Sequence, residues 1–163
     1  MRRYLFLIFI LLWIQCRNHS TSPGITDKDQ VISSAKKMLQ DYYDDIRANG
    51  LLAEIKWLDS SSSFFWVPPG YGGPILFDSV AKVIRRNALS IRKIDERWEN
   101  LQIQPLTADF VSYTGRINST VIDSAGHSTT NRFLETGILI KKEDGWKLLS
   151  GQTGMLPESG QYP

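Results

Sequence analysis

Three side chains of this chain could share proton-transfer chemistry: Tyr43, with Glu135 or Asp109 as its carboxylate partner. Glu135 follows Phe133 and Leu134 in a strand-like stretch. Turned inward, its carboxyl would be raised in pKa by burial and become a usable acid or base; turned outward, it is an ordinary solvated strand residue. Asp109 follows Thr107-Ala108 at the start of another strand, where a rim position is expected. Tyr43 falls in a helical pattern, which places its ring in a core and its hydroxyl toward any cavity.

Other chemistries lack their residues. His19 and His127 are the two histidines, and neither has Asp, Glu or Cys at metal-ligand spacing, so no metal site is expected. No Gly-x-Ser-x-Gly elbow occurs. Gly70–Gly73 has Pro68-Pro69 before it and no Lys-Ser or Lys-Thr after it, so it is a flexible lip and not a phosphate loop. No cofactor is implied. Cys16 is the single cysteine, which excludes an internal disulfide.

The chain has 163 residues and a formal net charge of +2. That length suits one compact domain and excludes a two-domain doubly wound enzyme. Without Arg2 and Arg3 the basic and acidic residues balance. A neutral body carries no electrostatic footprint for nucleic acid.

Residues 1–16 read as an export signal. Arg2-Arg3 precedes an apolar run from Tyr4 to Ile14, which as a helix would rise about 16 Å, half of a bilayer core of about 30 Å. The run is too short to span and has the size of a signal-peptide core. Cys16 follows it at once, an arrangement that resembles a bacterial lipoprotein signal with Cys16 as the lipidated residue, although Gln15 stands where such signals carry a small residue. The expectation is an exported protein, anchored to a membrane through Cys16, with free secretion as the alternative. Residues 17–25 are a polar tether, 26–157 the domain and 158–163 a flexible tail.

Within the domain, Val31, Ala35, Met38, Tyr42 and Ile46 recur at helical spacing over residues 27–49, and Asn49-Gly50 stops the helix. A short second helix follows from Leu51 to Leu58. Phe64–Val67 is strand-like and ends at Pro68-Pro69. Asp78 is the expected cap of a third helix, with Val80, Val83, Ile84 and Ile91 as its apolar face. From residue 93 the period is two: strands over 93–104 (kinked near Glu99-Asn100), 107–122, 127–142 and 146–156 are joined by tight turns and should form an antiparallel meander. The fold class is α+β: three helices packed on a strongly curved antiparallel sheet, a cone with a cavity inside.

This order of elements resembles the SnoaL-like superfamily, also called ketosteroid-isomerase-like or nuclear-transport-factor-two-like. The resemblance is carried by Tyr43–Gly50, the Phe64–Pro74 strand and Gly-rich loop, the third helix, and Lys141-Lys-Glu-Asp-Gly-Trp146-Lys-Leu-Leu. It covers about residues 27–156. It implies a pocket between the first helix and the sheet, and frequent homodimers through the outer sheet face. Its isomerase members carry an oxyanion-binding tyrosine, which falls on Tyr43, and a base before a proline, which falls on Val67. Valine holds no titratable proton, so ketosteroid-type isomerisation is disfavoured.

The expected pocket takes Tyr43, Trp57, Phe65, Tyr71, Tyr113 and Gln152, a mix suited to a small apolar or aromatic ligand. Phe65 and Trp66 must face opposite ways, and Ser150 and Gln152 should share the face of Trp146. Asp95, Glu96 and Glu99 alternate with Arg97 and read as an exposed edge. The leading functional expectation is a tethered, non-catalytic module binding a small ligand or a partner protein. The alternatives are an isomerase, dehydratase or hydrolase using Tyr43 with Glu135 or Asp109, and a dimeric assembly domain. A carboxylate within about 5 Å of the Tyr43 hydroxyl, across a cavity, would favour the enzyme.

Overall fold

The structure, a computed structural model, describes residues 25–157. Cys16, the leader, most of the tether and the 158–163 tail lie outside the described residues. Helix α1 spans Ile25–Asn49, a 3-10 helix Leu51–Trp57, β1 Phe65–Val67, α2 Phe77–Ala88, β2 Ile91–Pro105, β3 Phe110–Asp123, β4 Ser128–Lys142 and β5 Gly145–Met155. The helices pack on one face of a curled sheet, giving an α+β cone.

Helix α1 forms because one stripe is apolar. Val31, Ala35, Met38, Leu39, Tyr42, Tyr43 and Ile46 are all buried, while the opposite face is charged. Gly50 ends it at φ +81°, with its N–H donating to the Ile46 carbonyl at 2.8 Å. Two tryptophans tie α1 to the sheet: Trp98 Nε1 donates to the Leu39 carbonyl at 3.0 Å and Trp146 Nε1 to Ser34 Oγ at 3.0 Å.

The strand order is β1-β5-β4-β3-β2. Strands β2 to β5 are the expected antiparallel meander, but β1 runs parallel to β5, so the sheet is mixed. The chain leaves β1 through α2, and a crossover does not force the reversal that a tight turn forces. Asp78 does not cap α2: the helix starts at Phe77 after an extended Leu76, and Asp78 lies in its first turn. Ile91 begins β2 instead of ending that helix. The strand expected from Thr107 begins at Phe110, because Thr107 Oγ1 accepts from the Asp109 and Phe110 N–H groups and holds a turn.

Register shifts set which side chains face the helices. Glu99 is an extra residue between the pairs Trp98–Ile117 and Asn100–Arg116. Ile94, Glu96 and Trp98 therefore face inward before it, and Leu101 and Ile103 after it. Leu149 is extra between the pairs Leu139–Leu148 and Ile138–Ser150. The outer face exposes Phe65, Phe110 and Leu134, the side on which the resemblance places a dimer contact.

Candidate functional site

Between α1, the 3-10 helix, α2 and the inner sheet face lies a cavity of about 270 Å³. At its floor Glu135 is 4% exposed. Its Oε1 accepts from the Tyr113 hydroxyl at 2.8 Å. Its Oε2 accepts from the Tyr43 hydroxyl at 3.1 Å and from Thr153 Oγ1 at 3.2 Å. Thr153 in turn accepts from Trp66 Nε1 at 3.1 Å. Four elements thus converge on one carboxylate: α1 with Tyr43, β3 with Tyr113, β4 with Glu135 itself and β5 with Thr153. The convergence follows from register, because Glu135 pairs with Gly115 on one side and Thr153 on the other.

Burial pushes the Glu135 carboxyl up to about 7, against the pull of its three donors, and the Glu96 charge adds to the rise. Tyr43 and Tyr113 are raised well above the ordinary tyrosine value by burial and then by the Glu135 charge, so both keep their protons at neutral pH. Ionised, Glu135 accepts from all three hydroxyls. Protonated, it must donate to one of them, which frees that hydroxyl's own proton to point elsewhere.

Two further carboxylates line the same cavity. Glu96 is half-buried on β2 and its Oε1 accepts from Ser119 Oγ at 2.9 Å. Glu54 is half-buried on the 3-10 helix beside Tyr42. Burial and then the nearby Glu96 charge push Glu54 up to about 8. Burial also raises Glu96, with Ser119 opposing. The exposed-edge expectation holds for Asp95 and Arg97, which pair at 2.8 Å on the outer face, and fails for Glu96. The signal was in the sequence: Glu96 lies between Ile94 and Trp98 at period two. Glu54 follows Leu51 by three residues, the spacing that shares a face in a 3-10 helix, and both line the cavity.

The remaining expected pocket residues scatter. Trp57 lies against the flank of α1, with Nε1 donating to Asp45 Oδ2 at 2.8 Å. Phe65 and Gln152 sit on the outer face, and Trp66 and Thr153 face inward in their place. The extra residue Leu149 explains Gln152, since it reverses the alternation that began at Trp146. Tyr71 is exposed on the loop after Pro68-Pro69. Asp109 is exposed on the β2–β3 turn and is not among the residues that line the cavity with Tyr43. Tyr113 is buried behind Glu135. Val67 faces the outer groove, so the position expected for a base does not even point inward. In a larger surface groove near Lys142 two of the three acids are already paired, Asp59 with Lys142 at 3.2 Å and Asp144 with Lys147 at 2.8 Å. Among the described residues no cluster of His, Cys, Asp and Glu could hold a metal.

No family model and no curated protein matches the chain. Solved structures do. A scytalone dehydratase candidate from Novosphingobium aromaticivorans aligns with TM-score 0.71 at 12% identity, covering 82% of this chain and 89% of that one. A nuclear transport factor 2-like protein from Salmonella enterica aligns with TM-score 0.68 at 11% identity, covering 82% and 96%. A hexachlorocyclohexane dehydrochlorinase from Novosphingobium barchaimii aligns with TM-score 0.64 at 12% identity, covering 86% and 98%. At such identities the likeness carries the fold, which is the NTF2-like cone.

Proposed function

We propose that this NTF2-like cone is an acid–base enzyme that moves a proton on a small ring-sized substrate, in an elimination or an isomerisation. The observation that carries this reading is the 3.1 Å contact between Tyr43 and Glu135 at the floor of a cavity. A carboxylate that close to the hydroxyl can act with it on one substrate. The similar solved structures include a dehydratase candidate and a dehydrochlorinase, and both names describe eliminations.

In the proposed cycle, ionised Glu135 takes a proton from a carbon next to a substrate carbonyl. The electron pair left on that carbon moves onto the carbonyl oxygen as an enolate. Protonated Glu135 then donates to Tyr43, whose own proton turns to the enolate oxygen. Return of the proton to a different carbon completes an isomerisation. In an elimination the enolate pair re-forms the carbonyl as a β-substituent departs with its bonding electrons, and Glu135 passes its proton to that substituent or to water. A pKa of about 7 suits a group that must both take and return a proton.

The direct assay is exchange of solvent deuterium into the α-carbon of small ring ketones by the full-length chain. Glu135→Gln should lower the exchange rate by about 10²-fold or more, and Tyr43→Phe by about 10-fold or more. The wild-type rate should rise with pH through about 7 as Glu135 ionises. Exchange by Glu135→Gln at the wild-type rate would remove the base.

The second reading, a binding module, draws on the same cavity and on the three donors that fix Glu135 in place. Absence of wild-type exchange across the ketone panel would favour it.

A further inference from the structure

We infer that the cavity is built for a cationic ligand, a primary or secondary ammonium carried on a single apolar ring. The inference deepens the proposed function by naming the substrate class of that site. Carboxylates from three separate elements face one cavity: Glu54 from the 3-10 helix, Glu96 from β2 and Glu135 from β4. None of the described residues lining it is Lys, Arg or His. Arg47, a cation close to Glu96 in the chain's fold, donates to the Glu96 backbone carbonyl at 2.7 Å and pairs with Asp44 and Asp95, so it leaves the carboxylate alone.

The three acids are not equally occupied. Glu135 already holds three hydroxyl donors, one short of the about four that a carboxylate accepts, and the proposed chemistry uses that remaining site. Among the described residues Glu96 has one hydroxyl on Oε1 and no hydrogen-bond partner on Oε2. Among the described residues Glu54 has the Tyr42 hydroxyl as its one side-chain donor. The unfilled acceptor capacity therefore belongs to Glu54 and Glu96, and an ammonium supplies the donors and the charge that satisfy both. An anion would meet three carboxylates, and the Glu96 charge already raises the proton affinity of the other two. Tyr42, Trp66 and Phe133 give the walls an aromatic character that suits a ring and favours a neighbouring cation. A volume of about 270 Å³ holds one ring and a short side chain, below the size of larger pocket ligands.

The titratable groups facing the ligand are Tyr42 and Tyr43 from α1, Glu54, Glu96 and Glu135, with Tyr113 behind the last. The tyrosines stay neutral, so the carboxyls alone give binding its pH dependence. An entering ammonium displaces the protons that the empty cavity retains, and its affinity rises with pH until the carboxyls are ionised.

The test is titration calorimetry of the full-length chain with benzylamine, benzyl alcohol and benzoate. Benzylamine should bind at least about tenfold tighter than benzyl alcohol near pH 8, and benzoate should not bind. The benzylamine preference should shrink on going from about pH 8 to about pH 5.5 in the wild type, which requires no variant. Glu54→Gln with Glu96→Gln should abolish the preference while circular dichroism stays native. The inference is overturned if the alcohol or benzoate binds as tightly as the amine, if the amine fails to bind at about 10 mM, or if its preference is flat with pH. Amine binding without deuterium exchange would sink only the proposed chemistry. Exchange on neutral ketones without amine preference would sink only the ligand class.

Discussion

At the scale of single residues, the site is a problem of buried acids. A carboxyl in a poorly hydrated interior holds its proton more tightly than in the unfolded chain. Glu135 and Glu54 are raised from the ordinary value of 4.5 to about 7 and about 8. Between about pH 4.5 and these values the folded state binds more protons than the unfolded state, so stability falls as pH rises through that window. The outer acids Asp95 and Glu99 are lowered by Arg97 and Arg132 and act in the opposite sense, but only at more acid pH. The melting temperature should therefore be higher near pH 5.5 than near pH 8, a difference of about 2–4 kcal/mol in stability. Glu54→Gln should flatten that slope in calorimetric scans. A melting temperature that climbs from pH 5.5 to pH 8 would show that these carboxyls are not held in the protonated form.

At the scale of elements, the inner face of the sheet makes room for rings by omitting side chains. Gly115, Gly137 and Gly151 lie in adjoining strands, and added Cβ atoms at Gly115 and Gly151 would stand 2.7 Å from the rings of Trp98 and Trp66. Gly151→Ala must displace both the Thr136 backbone carbonyl of the neighbouring strand and Trp66, whose Nε1 holds Thr153 against Glu135. We expect a loss of about 1–3 kcal/mol and a shifted tryptophan emission. Gly154→Ala, where a Cβ meets nothing within 4 Å, should stay within about 0.5 kcal/mol of wild type. Equal stability of the two variants would mean that neither the neighbouring carbonyl nor the ring requires glycine there. The extra residues Glu99 and Leu149 belong to this scale too. Each reverses the inward and outward sense of the strand beyond it, and the second places Thr153 on the floor of the cavity instead of Gln152.

At the scale of the whole molecule, we propose that the cone works outside the cytoplasm, tethered through Cys16. The basic start, the short apolar run and the cysteine directly after it support this reading. Among the described residues no helix is long and apolar enough to cross a membrane. Labelled palmitate should enter the full-length protein in bacterial cells and be absent from Cys16→Ser; equal labelling of both would remove the tether. The sequence by itself determined the element order, the amphipathic first helix and the period-two strands, because helix and strand periodicity are local properties written in neighbouring residues. It also singled out Tyr43 and Glu135, through a helical apolar stripe and an acid set among apolar strand residues. Only the tertiary structure decided that these two touch, that Glu54 and Glu96 join them, and that Trp57, Phe65, Tyr71 and Gln152 stand aside. Those outcomes depend on strand register, on two single-residue shifts and on a parallel edge strand. They are set by packing between residues as far as 112 positions apart, where the local pattern carries no information about which faces meet.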